Sequence, residues 1–333
     1  MARRDEILKA AYEADRLHRE FGAKAADGRV NVFKMLINRD IPVIFRPLDK
    51  LLGAFVSEPD KGIIVTSRRP LSVQRFTAAH ELGHEVLGHE TSYDEEEILT
   101  RALFGVDDAY DPREIQANAF ASHLLTPQWL IAEHMRRQGW NRRSLVDPFV
   151  VYQLSLRMGS SYSATIYALE EGKAIDASAR ERLLAVKPKS IKQFLVKPYE
   201  PENWYGDVWL VTDLDGGMVL EGSRTDLVVF KLEEHASAGY LWQLGDLIDA
   251  GLMIRADGRA ANSDEDAVGG VVFRTVIAES NGEGANGHVS LRELRPWQAS
   301  GTPLQSVELE IDLSGPVSAG LLAKQREMLL GVA

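Results

Sequence analysis

The stretch Phe76-Thr77-Ala78-Ala79-His80-Glu81-Leu82-Gly83-His84 places two histidines four residues apart, with a glutamate beside the first. At 3.6 residues per turn, His80 and His84 lie on one helix face, where both imidazoles can reach one metal ion. Glu81 stands next to them, where a carboxylate can take a proton from an activated water. These are the parts needed to hydrolyse a peptide bond. The pattern also arises by chance, and a helix can carry two histidines for no chemical reason. The flanks argue against chance: Val73, Phe76, Thr77, Ala79, Leu82, Val86 and Leu87 give apolar or small positions at near-helical spacing, which predicts a buried helix. Unpaired polar groups in such a helix cost roughly 1–3 kcal/mol each, so a His-Glu-His cluster there makes sense around a cation.

Zinc of this kind needs a third protein ligand and keeps its fourth position for water. Downstream, Glu114-Ile115-Gln116-Ala117-Asn118-Ala119-Phe120-Ala121-Ser122-His123-Leu124-Leu125-Thr126-Pro127 reads as an alanine-rich helix stopped by Pro127. Glu114 follows His84 by thirty residues, room for a loop and a returning helix. Asn118 falls one turn later on the same face, placed to hydrogen-bond a ligand. His89, His123 and Asp111 are the other candidates. His89, five residues after His84, turns well off the metal-facing side of a continuous helix and reads as a surface or supporting histidine. The acidic run Asp94 to Glu97 reads as a solvated loop.

The string Arg75 to His84 followed by Leu87-Gly88-His89 resembles the ImmA/IrrE family of metallopeptidases. So does the second block, Glu114 with Ala117-Asn118-x-Phe120-Ala121 and Leu124-Leu125-x-Pro127. The resemblance covers roughly residues 5 to 130. It implies that His80, His84 and Glu114 bind Zn2+ and that Glu81 is the general base. It also implies a protein substrate, a helix-turn-helix repressor or antitoxin encoded nearby, whose cleavage releases a stress, phage-defence or mobile-element response. Thr126 stands where the family commonly has methionine, a packing change that leaves the ligands untouched.

The rest of the chain must position this chemistry. A length of 333 residues suggests two domains or slightly more, and 45% hydrophobic residues is ordinary for a globular protein. There is no cysteine, which removes disulfides, thiol nucleophiles and thiolate metal sites. The start, Met1-Ala2-Arg3-Arg4-Asp5-Glu6, leads into an amphipathic helix and not an apolar signal segment, and no run has the length to span a membrane. A cytoplasmic protein is expected. Residues 191–333 hold 11 Lys and Arg against 22 Asp and Glu, which accounts for the whole net charge of −11. That break supports a domain boundary and argues against direct nucleic-acid binding by the C-terminal part, since phosphate would be repelled.

The expected fold class is α+β, in three parts. Residues 1–130 form a zincin-like metallopeptidase domain, mainly helical with a small sheet that includes Pro42 to Arg46 and Gly62 to Thr66. The second of these strands, just before the metal-site helix, could offer its edge to an extended substrate. Residues 131–195 form a helical subdomain in which Val150 to Leu169 read as helix, Gly turn and Ser-capped helix. That pattern is helix-turn-helix-like, but its second helix carries Glu170 and Glu171 and no Arg or Lys, which favours packing or protein docking over DNA reading.

Val196 to Asn203 reads as a linker. Beyond it, residues 205–333 are expected to form an all-β immunoglobulin-like sandwich of about seven short strands with a C-terminal helix over Ala319 to Leu330. The strands are Val208 to Val211, Gly217 to Leu220, Leu227 to Leu232, Tyr240 to Gln243, Val271 to Ala278, His288 to Arg292 and Val307 to Ile311. Three loops resemble those of the chagasin family of cysteine-protease inhibitors: Gly239, Tyr240 and Trp242 in the first, Gly269 and Gly270 in the second, Arg295, Pro296 and Trp297 in the third. In that fold such loops gather at one end and fill a protease cleft. The first loop departs from the family, with His235-Ala236-Ser237-Ala238 where Asn-Pro-Thr-Thr is usual, and Trp242 and Trp297 also suit a plain core. The sequence thus points to a zinc endopeptidase with a sandwich that regulates it or recognises its partner. The rival is a metal-stabilised module that sequesters a partner, or inhibits a protease, without turnover.

Overall fold

The computed structural model describes residues 2–22, 28–58, 60–90, 92–95, 111–261, 272–298, 301–322 and 325. Helix α1 (Ala2–Glu20) buries Ala10, Ala14 and Leu17, one stripe of an amphipathic helix. Helix α2 (Val32–Asn38) starts where the Asn31 side chain accepts from the Lys34 N–H, an N-cap. Strands β1 (Val43–Arg46), β2 (Leu51–Val56) and β3 (Gly62–Thr66) lead to helix α3 (Leu71–Leu87), then β4 (Ser92–Glu95). Helix α4 (Pro112–Leu125) opens with Pro112 after the N-cap Asp111 and closes before Pro127. Helices α5 (Gln128–Arg137), α6 (Pro148–Met158), α7 (Tyr162–Glu171), α8 (Ala177–Ala185) and α9 (Pro188–Leu195) follow.

The second half holds β5 (Val208–Val211), β6 (Met218–Glu221), β7 (Leu227–Glu234), β8 (Leu241–Gln243), the short helix α10 (Gly245–Asp249), β9 (Leu252–Ala261), β10 (Val272–Ser280), β11 (Asn286–Leu294), β12 (Gln305–Asp312) and β13 (Gly320–Leu321). The protein is α+β, with one five-stranded and two four-stranded sheets among the described residues. None of its described helices is long and apolar enough to cross a membrane.

Two compact units contain these elements: Met1–Glu133, Leu154–Arg180 and Pro316–Ala333 in the first, His134–Gln153 and Glu181–Gly315 in the second. This division cuts the chain differently from the ranges 1–130, 131–195 and 205–333, since residues 154–180 and 316–333 fall in the first unit. The sheet of the first unit runs β13-β1-β3-β2-β4. Strand β3 lies in its interior, parallel to β1 and antiparallel to β2, so both its edges are already hydrogen-bonded. The substrate-edge role expected for Gly62 to Thr66 is therefore overturned: its backbone groups serve the sheet. Asp94 and Glu95, expected in a loop, belong to β4, which pairs with β2 across a bulge between Leu51 and Gly53.

At the other edge, Gly320 and Leu321 pair with β1, and the Gln325 side chain donates to Ile41 O and accepts from Val43 N–H. Residues 320–321, expected to start a helix, are thus a strand; the remainder of that expected helix lies outside the described residues except Gln325. The expected Gly turn is present. Gly159 takes a left-handed φ of +67°, a Cβ there would meet the Arg75 guanidinium, and Ser161 caps α7 by accepting from the Ala164 N–H. Helix α7 buries Tyr162, Thr165, Ile166, Ala168 and Leu169.

In the second unit the sheets run β5-β7-β10-β9 and β6-β12-β11-β8. Strand β12 alternates buried Val307, Leu309 and Ile311 with exposed Glu308 and Glu310, the pattern of a sheet covered on one face. Polar bonds join the two sheets at one end: Trp242 of β8 donates from its indole to Glu233 O and from its backbone to the Glu234 carboxylate. The supposed linker is more than a linker, because its Val196 and Tyr199 pack against Val208, Leu227, Val229 and Ile277. Strand β9 was not anticipated; its Ala, Asp and Gly residues have weak strand preference, and pairing with β10 overrides it.

Candidate metal centre

Helix α3 is buried over most of its length, from Gln74 and Arg75 through Thr77 to His84. Its histidines point to one spot, with His80 Nε2 and His84 Nε2 3.0 Å apart. Glu114, in the first turn of α4, completes the group: Oε2 lies 3.3 Å from His80 Nε2 and Oε1 3.5 Å from His84 Nε2. Metal–ligand bonds of about 2.0–2.1 Å along tetrahedral directions set donors about 3.3 Å apart, and the three separations bracket that value. Glu114 Oε2 is also buried without a hydrogen bond, a costly state for a carboxylate oxygen that a cation relieves. These residues fit a metal, and His80, His84 and Glu114 are the one such group among the described residues.

Local structure explains why Glu114 arrives there. The Asp111 side chain caps α4 by accepting from the Arg113 N–H, and the Arg113 side-chain bond holds its carboxyl below the usual range. Helix α4 then crosses α3 closely at Gly83, where a Cβ would sit 3.0 Å from Phe120 Cδ1 and 3.2 Å from Ala117 Cα. Gly83→Val is expected to wedge the helices apart. Overpacking of this kind costs about 1–3 kcal/mol, and Glu114 withdraws from the histidines. Urea unfolding and zinc titration of the purified variant would check this; wild-type values in both would remove Gly83 from the explanation.

The supporting residues divide by position. His80 Nδ1 lies 3.1 Å from Asn118 Oδ1, the partner expected one turn after Glu114. An amide oxygen only accepts, so the proton sits on Nδ1 and Nε2 offers its lone pair to the site. Glu81 is fully buried, and its Oε1 lies where a Cβ on Gly53 of β2 would be 2.7 Å away. His89 was expected off the metal-facing side, as a surface or supporting histidine; it is a supporting one, because α3 ends at Leu87 and Gly88 takes a φ of +74°. The His89 N–H then bonds back to His84 O, a Schellman-type closure, and returns the ring to His84 with the two Nδ1 atoms 2.9 Å apart. Burial lowers the His89 pKa, offset in part by its bond to Gln116. Neither other ligand candidate joins: Asp111 is a cap, and His123 pairs with Glu171, a bond that raises the His123 pKa.

In the second unit, four of the loop residues come together. Gly239 has a φ of +82° with the Trp297 ring where its Cβ would be, and the Arg295 guanidinium lies 4.5 Å over the Tyr240 ring. Pro296 is exposed beside them, and Trp297 is 70% exposed. Trp242 does not join them, being buried between the sheets. Gly269 and Gly270 lie outside the described residues. Sequence reasoning missed Glu6, Gly53, Gly83 and Gln116; the glycine at the end of the α3 pattern was the readable sign that His89 turns back.

A buried helix carrying His-Glu-x-x-His, with a glutamate from a second helix brought beside the histidines, is the arrangement that a metallopeptidase-type centre needs. Residues 38–170 match the Peptidase_M78 family, described as the IrrE N-terminal-like domain. A curated relative is the radiation response metalloprotease IrrE of Deinococcus radiodurans, 32% identical over 133 residues, which are 38% of this chain and 36% of that protein. The chain thus spans little more than a third of that relative. Among solved structures, the cysteine protease inhibitor EhICP2 from Entamoeba histolytica is similar, at 21% identity and a TM-score of 0.27 over 32% of this chain and 96% of that one. A Mycobacterium tuberculosis transcriptional regulator is similar at 12% identity and a TM-score of 0.34, covering 84% of this chain and 81% of that one.

Proposed function

We propose that this protein is a cytoplasmic zinc-dependent endopeptidase with one specific protein substrate. The observation that carries the reading is the convergence of His80, His84 and Glu114 beside the buried Glu81. Zinc held there would polarise the scissile carbonyl and make an adjacent water acidic at neutral pH. Asn118 fixes the His80 ring so that its Nε2 lone pair faces the site. Glu81 takes the proton of the attacking water and passes it to the leaving amine. By the resemblance to the ImmA/IrrE family, the substrate is a DNA-binding repressor or an antitoxin, and its cleavage starts a stress, phage-defence or mobile-element response. The chagasin-like sandwich, with Gly239, Tyr240, Arg295 and Trp297 clustered at one end, is the part that recognises the partner or regulates cleavage.

The test uses the purified full chain, its metal content, and mass spectrometry of new termini after incubation with a proteome-derived peptide library and with the products of neighbouring genes. One zinc per chain is expected, with cuts that vanish on chelation and return with added zinc. A chain that keeps its zinc and cuts nothing would favour the metal-stabilised binding module.

A further inference from the structure

A chain of hydrogen bonds runs from helix α1 to the second histidine of the site. Glu6 is joined to the Gln116 side-chain nitrogen, Gln116 Oε1 lies 2.7 Å from His89 Nε2, and His89 Nδ1 lies 2.9 Å from His84 Nδ1. Each link permits only one direction. A carboxylate has no proton to give, so the NH2 of Gln116 must face Glu6 and its oxygen must face His89. That oxygen only accepts, so His89 Nε2 carries the proton. A neutral imidazole has one N–H, which leaves a lone pair on His89 Nδ1. His84 must then donate from Nδ1, which turns its Nε2 lone pair to the site, 3.0 Å from His80 Nε2 and 3.5 Å from Glu114 Oε1.

We infer that Glu6, Gln116 and His89 are positioning residues that hold His84 in the one tautomer able to bind the metal. The inference rests on the metal reading given above and deepens it. His80 gets the same service from a single residue, Asn118; His84 gets it through three residues from three segments. The first of them lies outside the family-matched range of residues 38–170, so this part of the centre is supplied by α1. The relay depends on the Gly88 turn, which alone brings a residue five positions later back to the His84 ring. It also gives α1 a task beyond burying Ala10, Ala14 and Leu17.

Imidazole 15N shifts of the metal-free, histidine-labelled full chain read the tautomers directly. His80 and His84 should carry their protons on Nδ1 and His89 on Nε2. A wild-type His84 whose Nδ1 carries no proton would overturn the relay without any variant. Gln116→Leu should leave His84 in a mixture of tautomers and weaken Zn2+ binding, measured against a chromophoric chelator, by about 10–100-fold. The double exchange Glu6→Gln with Gln116→Glu should restore both, because the amide at position 6 now donates to a carboxylate that still accepts from His89. Wild-type affinity in Gln116→Leu, or a double exchange as weak as Gln116→Leu, would sink the inference. A chain with the stated tautomers that binds no Zn2+ would overturn the metal reading and leave the relay standing.

Discussion

Glu81→Gln retains zinc at the wild-type level and lowers the cleavage rate by about 10²–10⁴-fold, the range for removal of a general base. The exchange preserves shape and removes only the ability to take a proton, so packing of α3 against β2 is kept. His80, His84 and Glu114 are untouched, with donor separations of 3.0, 3.3 and 3.5 Å. His80→Ala is the contrast, since it deletes a ligand and should lose zinc and cleavage together. Metal analysis beside a rate on the cleaved partner distinguishes the cases. A Glu81→Gln protein that cuts as fast as wild type would remove Glu81 as the base. One that loses zinc would mean that this carboxylate holds the site together instead of working in it.

The grouping of His80, His84 and Glu114 was legible in the sequence because its spacing is local. Two histidines four apart share a helix face whatever surrounds them, and Glu114 and Asn118 repeat that logic on a second helix. Most strands were legible for the same reason, with runs such as Leu227 to Leu232 and Val307 to Ile311 alternating as strands do. What could not be read were contacts set by tertiary placement. Nothing local links Glu6 to Gln116, 110 residues apart, or Gly53 to Glu81. The pairing of β3 on both sides likewise depends on β1 and β2 together, and it excluded the substrate edge that the strand alone suggested. The choice between a surface and a supporting role for His89 was not readable from helical spacing, because it turns on Gly88 ending the helix.

Gly53→Ala provides the sharper test of how Glu81 is aimed. A Cβ at this position would lie 2.4 Å from Thr77 Cγ2, 2.7 Å from Glu81 Oε1 and 3.1 Å from Ile64 O. Ile64 belongs to β3, tied to β1 and β2, and Thr77 is fully buried in α3, so neither yields easily. The Glu81 carboxylate is the end of a flexible side chain, and moving it is the least costly relief. Gly53 also adjoins the bulge in the β2–β4 pairing, where strands are commonly bent to re-aim a neighbouring group. Cleavage should therefore fall at least about tenfold, one order for each 1.4 kcal/mol of lost transition-state stabilisation, while zinc stays bound. The decisive measurement is the double variant. If Gly53→Ala acts by displacing Glu81, it costs almost nothing further in a Glu81→Gln background, because residues acting as one unit do not add. Two losses that multiply would instead mean general damage to the sheet, and the small residue at position 53 would have no part in aiming the base.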